Sequence, residues 1–295
     1  MKSGFVAILG HPNVGKSTIL NGVINRKVSI VTDKSQTTRN IIRGIYRGDD
    51  SQIIFVDTPG IHKPHAKLGE EMNAMAYSSA HESDVNILVI DASRPFSEGD
   101  EFLLNHLDIN NAPLILVFNK IDLARIDEVE KLKSIYREKL PESHFIDTVA
   151  NERFNLEELI ALVEKLLPEG PEYYPGQEIT DKDEIFQIKE IIREKVLKTL
   201  RDEVPHSIAV YVDNIAWEDN PIHIHASIIV EKDSQKGIVI GANGKRIKDI
   251  GLKARRDIEK LLNKHVYLKL FVKVQSDWRN SDELLEAYGY KNKKR

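Results

Sequence analysis

Apolar and polar positions follow two different rhythms along the chain. Over the first 167 residues, short apolar runs rich in β-branched side chains recur at 5–9, 52–56, 85–90 and 113–118, and each is closed by Gly, Asp, Asn or Pro. Segments with helical spacing lie between and after them, at 16–25, 68–81, 98–107, 127–139 and 155–167. The last opens on Asn155 with Glu157 and Glu158 in its first turn, as a helix start favours. Strands alternating with helices predict a mostly parallel α/β sheet covered on both faces. Such sheets bind ligands at the carboxyl ends of their strands.

The rhythm breaks at 168–176, which carries three prolines and two glycines and reads as the start of a linker running to 182. Beyond it, 183–200 is an amphipathic helix with Ile185, Ile188, Ile192, Val196 and Leu200 on one side. Residues 208–215 and 222–230 alternate like an antiparallel strand pair. Two helices flank Gly241 and Gly244, the second running to about 262, and 266–274 is a strand of period two with Val266, Leu268, Leu270, Val272 and Val274 on one face. The order α-β-β-α-α-β predicts a second, α+β domain. The expected division is 1–167, a linker at 168–182, 183–275, and a closing helix with a basic tail at 276–295.

Composition narrows the class. With 41% hydrophobic and 30% charged residues in 295, the chain is neither low-complexity nor disordered. No apolar run approaches a membrane span, and the run at 5–9 is too short for the core of a signal peptide. The absence of cysteine excludes disulfide scaffolds, Cys-ligated metals and thiol catalysis, and permits a cytoplasmic location. The net charge of −4 hides an asymmetry: residues 1–175 hold 19 Lys+Arg against 26 Asp+Glu, whereas 241–273 hold 10 against 3. The basic stretch is a candidate surface for a polyanion.

Four motifs sit at the predicted strand ends. Gly10-His-Pro-Asn-Val-Gly-Lys-Ser17 fits G-x-x-x-x-G-K-[ST] between a strand and a helix. There the backbone around Gly10, Asn13, Val14 and Gly15 can cradle phosphate, Lys16 can reach the β- and γ-phosphates, Ser17 can ligate Mg²⁺, and Thr18 follows in the first helical turn. Asp57-Thr-Pro-Gly60 places a carboxylate to hold the same Mg²⁺ and a glycine N–H near a γ-phosphate oxygen. Asn119-Lys-Ile-Asp122 selects the base: the Asp122 carboxylate matches the two donors of guanine, Asn119 braces the loops and the Lys120 stem lies over the purine. Between the first two motifs, Ser35-Gln-Thr-Thr-Arg39 offers a threonine to complete the Mg²⁺ shell when GTP is bound, Thr38 being preferred and Thr37 its rival. Ile61, directly after Gly60, cannot orient an attacking water, so intrinsic turnover is expected to be slow.

The form x-Pro-Asn-Val-Gly-Lys-Ser-Thr and the Gln-Thr-Thr-Arg loop resemble the translation-factor-class GTPases of the Era type. The resemblance implies hydrolysis of GTP to GDP and phosphate with Mg²⁺. It also implies that Asn13 helps ligate a K⁺ ion beside the phosphates, and that a fifth motif, normally Ser-Ala, falls on Val149-Ala150 with the Ala150 N–H on the guanine oxygen.

In the second domain, Ile240-Gly-Ala-Asn-Gly-Lys-Arg-Ile247 resembles the I-G-x-x-G-x-x-I of a KH domain, and the element order fits type II. The groove beside Gly241, Ala242, Asn243 and Gly244 would take about four unpaired nucleotides. Lys245, Arg246, Lys248, Lys253, Arg255 and Arg256 are placed for phosphate contacts. A P-loop GTPase joined to a type II KH domain is the Era-type architecture. It implies binding near the 3′ end of 16S rRNA in assembly of the 30S subunit, no DNA partner, and peripheral contact with the inner face of the cell membrane, which the basic tail at 291–295 could assist. Two other classes fit many of the same residues: a tRNA-modification or signalling GTPase acting on a protein, and a non-catalytic RNA-binding protein.

Overall fold

The computed structural model describes residues 1–200 and 204–291. The chain divides into two compact units: residues 1–31, 38–65 and 69–181 form the first, and residues 32–37, 66–68 and those from 182 onward form the second.

In the first unit, β1 (Lys2–Leu9), β3 (Ser51–Asp57), β4 (Val85–Asp91), β5 (Leu114–Asn119) and β6 (His144–Thr148) run parallel, and β2 (Ile42–Arg47) pairs antiparallel with β3. The strand order is β2-β3-β1-β4-β5-β6. Helices α1 (Lys16–Ile24), α2 (Lys67–Glu82), α3 (Glu98–His106) and α4 (Ile126–Lys139) connect the strands, and α5 (Leu156–Leu166) follows β6. Strands β3, β4 and β5 are buried along their whole length. That is why they read as continuous apolar runs rather than alternating ones. On one side of the sheet Ala7, Leu9, Leu88, Leu116 and Phe118 pack with Ala76 and Ala80 of α2, Leu103 of α3 and Tyr136 of α4. The mostly parallel sheet agrees with expectation. Strands β2 and β6, which the hydrophobic pattern did not mark, extend it at both edges.

The segment expected as a linker is built onto this sheet. Its backbone lies along the free side of β2: the Ile45 N–H donates to Ile179 O (3.0 Å), Gly44 and Thr180 form an antiparallel bridge, and the Arg47 guanidinium donates to the Tyr174, Gly176 and Glu178 carbonyls. Arg43 binds both Asp181 oxygens through its backbone N–H (3.1 Å) and its guanidinium (2.9 Å).

The second unit contains α6 (Glu184–Thr199), β7 (Ala209–Ala216), β8 (Ile222–Val230), α7 (Asp233–Ile240), α8 (Lys245–Leu262), β9 (Val266–Val274) and α9 (Asp282–Ala287). Its sheet has the order β7-β8-β9, with β7–β8 antiparallel and β8–β9 parallel. Ile188, Ile192 and Val196 of α6, Ile250, Ala254 and Ile258 of α8, and Ile222, Ile224, Ala226 and Ile228 of β8 are buried and form its core. Trp278 is buried after β9, and its indole N–H donates to Ser207 O (2.9 Å). Of the basic tail, residues 292–295 lie outside the described residues. Among the described residues no helix is long and apolar enough to cross a membrane.

Candidate nucleotide site and RNA loop

The P-loop turns sharply between β1 and α1, with positive φ at Gly10 (137°), Asn13 (64°) and Gly15 (109°). Val14 is buried, Asn13 is exposed, and Thr18 is half-buried in the first turn of α1. Lys16 is buried, and its ammonium donates to Gly10 O (3.0 Å) and His11 O (2.7 Å). Burial pushes its pKa down to about 8, against the pull of Asp57.

Asp57, at the end of β3, is fully buried. Its Oδ2 accepts from Ser17 Oγ (2.6 Å) and Ser29 Oγ (2.9 Å), while its Oδ1 has no hydrogen-bond partner among the described residues. Burial pushes the carboxyl upward, and the hydroxyls and Lys16 oppose that push. Ser17 Oγ also lies 2.9 Å from Thr38 Oγ1. Thr37 turns its hydroxyl onto Lys34 O (2.6 Å) and Thr32 Oγ1 (2.6 Å). Of the two rival threonines, Thr38 is thus the one brought to Ser17. A buried carboxylate with an orphaned oxygen beside two hydroxyls is a set of hard oxygen donors, and it fits Mg²⁺.

The segment after Asp57 is stitched to the P-loop. Thr58 Oγ1 donates to Ile8 O (2.7 Å), and the Ile61 N–H donates to Gly10 O (3.1 Å). Gly60 stands so close to Pro12 that a Cβ would lie 2.7 Å from the Pro12 nitrogen, so only glycine fits there. The Ile61 side chain is fully buried in the core with Ala7 and Leu88. His11, in the variable slot of the P-loop, adds a link the motif does not announce: its Nδ1 donates to Ile61 O (3.0 Å) and its Nε2 lies 3.4 Å from Asp100 Oδ1. Asp100 caps α3 with Ser97 and accepts from Tyr136 OH (3.0 Å). Burial would raise its carboxyl, but His11 and Ser97 outweigh that and hold it at about 2.

The base-recognition loops are cross-braced through Asn119. Its Nδ2 donates to Val14 O (2.8 Å), and its Oδ1 accepts from Thr148 Oγ1 (3.1 Å) and the Ala150 N–H (3.0 Å). The Ala150 N–H, expected on the guanine oxygen, donates to Asn119 Oδ1 here, and Val149 and Ala150 are buried. Lys120 lies across the P-loop, donating to Asn13 O (2.8 Å) and Asp91 Oδ2 (2.6 Å). Asp122 is exposed on the short 3₁₀ turn Ile121–Leu123, where a base could meet it. Sequence reasoning missed Ser29, Asp91, Thr148 and His11. The only sequence signals for them were an Asp closing β4 and a basic residue inside the P-loop.

In the second unit, α7 ends at Gly241 (φ 70°) and α8 begins after Gly244 (φ 73°), with Ala242 and Asn243 exposed between them. A Cβ on Gly244 would meet nothing within 4 Å among the described residues, so this face of the turn is open to an approaching backbone. Lys245, Lys248, Arg255 and Arg256 are exposed along α8. Two of the expected phosphate ligands have protein partners: the Arg246 guanidinium donates to Ile238 O and closes the loop, and Lys253 pairs with Asp249 (2.7 Å).

Known proteins match this arrangement over nearly the whole length. Residues 5–120 match the family model described as 50S ribosome-binding GTPase, and 203–279 match that of the KH domain. A crystal structure of Era in complex with MgGDPNP and nucleotides 1506–1542 of 16S ribosomal RNA is similar at 41% identity and TM-score 0.94, over 98% of this chain and 99% of that one. A variant of Aquifex aeolicus Era bound to GDP·AlF4⁻ is similar at 40% identity and TM-score 0.93, with the same coverage. A GTPase unit carrying the P-loop, Asp57 and Asn119–Asp122 constellation, followed by a KH unit, places this chain in the Era family of GTPases.

Proposed function

We propose that this GTPase binds unpaired RNA at the 3′ end of 16S ribosomal RNA through the loop from Gly241 to Gly244, and acts in assembly of the small ribosomal subunit in the cytoplasm. The observation that carries the reading is the open, positive-φ turn at Gly244 heading the basic helix α8. The Era relative crystallised with nucleotides 1506–1542 of that RNA supports the choice of partner. Gly244→Asp puts a side chain and a negative charge where phosphate approaches, whereas Gly244→Asn tolerates the same positive φ without the charge. On a single-stranded fragment from the 3′ end of 16S rRNA at fixed salt, Gly244→Asp is expected to weaken binding at least about a hundredfold, with Gly244→Asn intermediate and GTP affinity unchanged in both. Wild-type RNA affinity of Gly244→Asp would reduce the loop to a packing turn.

In the nucleotide site, Ser17, Thr38 and Asp57 would hold Mg²⁺, which when bound neutralises charge on the β- and γ-phosphates. Lys16 meets the same phosphates, the Gly60 N–H faces the γ-phosphate, and Asp122 reads guanine. Hydrolysis by this chain is slow without help, because the Ile61 side chain is packed in the core and has no polar atom to aim a water. The exposed Asn13 supports K⁺ as the missing positive charge in the transition state. Phosphate release is therefore expected to be severalfold faster in K⁺ than in Na⁺ at equal ionic strength, and Asn13→Ala to erase the difference. Equal wild-type rates in the two salts would remove K⁺ from the reaction.

A further inference from the structure

The β7–β8–β9 sheet has two faces, and α6, α7 and α8 occupy one of them. Along β9 the residues facing away from the core are Tyr267, Lys269, Phe271 and Lys273, all exposed, in strict alternation of ring and cation. Tyr267 is 49% exposed and Phe271 39%. The register sets Tyr211 (43% exposed), Ser227 and Phe271 in one row across the three strands, so a third ring shares the face. His223 and His225 of β8 back the rings, with centroids 4.9 Å from Tyr267 and 6.2 Å from Phe271.

Two details indicate what covers this face. Of the aliphatic residues in its rows, Ile229 is 3% exposed, Ala209 is buried and Ala216 is half-buried, so the large apolar side chains offered to solvent are aromatic. The Lys269 ammonium stands 5.2 Å from the Phe271 centroid and keeps positive charge among the rings. The carboxylate of Asp213 is taken up by Lys273 (2.7 Å) and Ser227 (2.6 Å). Protein interfaces are also rich in aromatic rings, but lysine is depleted there, whereas here Lys269 and Lys273 alternate with the rings. Flat exposed rings interleaved with cations match bases and phosphates.

We propose that this outer sheet face is a second RNA-binding surface, a stacking platform on which unpaired bases lie against Tyr267, Phe271 and Tyr211 while Lys269 meets the phosphates. Tyr267 and Phe271, four residues apart on one strand, are separated by about 13 Å, and Tyr211 lies about 10 Å to the side of Phe271, room for two or three nucleotides. The platform is on the opposite side of the sheet from the helices that carry the loop from Gly241 to Gly244, and does not rest on that loop's role.

The test titrates the full-length protein with a fluorescein-labelled, unstructured 20-nucleotide RNA at fixed salt, in both the wild-type and the Gly244→Asp background. Tyr267→Ala with Phe271→Ala is expected to weaken binding at least about thirtyfold in each background, which is about 2 kcal/mol for the two stacks together. Tyr267→Phe with Phe271→Tyr keeps both rings and restores affinity to within about twofold. Lys269→Ala lowers the slope of log affinity against log salt by about one. The unmutated protein, irradiated with a 4-thiouridine form of the same RNA, is expected to yield adducts in the β9 peptide. An unchanged affinity of the double alanine variant overturns the proposal and leaves the face to a protein partner. So does the absence of adducts on 266–274 and Tyr211, a readout that needs no variant to fold.

Discussion

Asp122→Asn is expected to reverse the base preference, weakening GTP by about a hundredfold to ten-thousandfold and making XTP the better ligand. Guanine offers N1–H and a 2-amino group, and the exposed Asp122 carboxylate can accept from both. Two charge-assisted bonds at about 1.5–3 kcal/mol each set the scale of the loss. Xanthine carries a carbonyl in place of the 2-amino group, so the amide donor of an asparagine finds an acceptor there. Nothing else in the loop needs to move, because the turn is set by Lys120 in its left-handed conformation (φ 65°), anchored on Asp91 and Asn13 O. Competition binding of GTP and XTP to the variant checks it. A retained GTP preference would mean that Asp122 does not read the base.

Lys16→Ala is expected to weaken GTP and GDP by at least about a hundredfold while the protein stays folded. The ammonium has two partners in the loop, Gly10 O and His11 O, and it sits where the β- and γ-phosphates would meet it. Burial disfavours its charged form, as its lowered pKa of about 8 records. The folded state at neutral pH therefore bears a cost for holding that charge. Removing it relieves the cost and leaves two carbonyls short of a donor, so the effects on stability oppose each other and the melting temperature should move by only a few degrees. Equilibrium dialysis with labelled nucleotide, run beside a thermal melt, separates the outcomes. Wild-type affinity would show that the phosphates do not lie on this loop.

The nucleotide site was legible because each of its motifs is contiguous and sits where a buried strand ends. Asp57 and Asn119 each close an unbroken apolar run, and the chain's own periodicity aligned those ends in space. Thr37 and Thr38 could not be separated by chemistry, since they are identical neighbours and only the direction of the backbone decides which reaches Ser17. The link from Ala150 to Asn119 was hidden for a related reason: the amide bonds to a side chain 31 residues away. Arg246 was read as a phosphate ligand from its charge, yet the positive-φ turn brings Ile238 O within its reach. In β9 the apolar half of the alternation marks the core side, and the rings between those positions carry the opposite face. Strand β2 was missed because Gly44 and two arginines interrupt its pattern, and its pairing with β3 supplies what local propensity lacks.

An open sheet margin is a template on which another chain can grow as an added strand. In the first unit the β2 margin is already taken by the molecule's own backbone from Tyr174 to Thr180, with Arg43 and Asp181 fastening its far end. The opposite margin, β6, is only five residues long, too short to hold an incoming strand well. The proline-rich stretch thus works as a guard against polymerisation. The buried sheet of the first unit therefore offers no long bare edge for a second copy to extend.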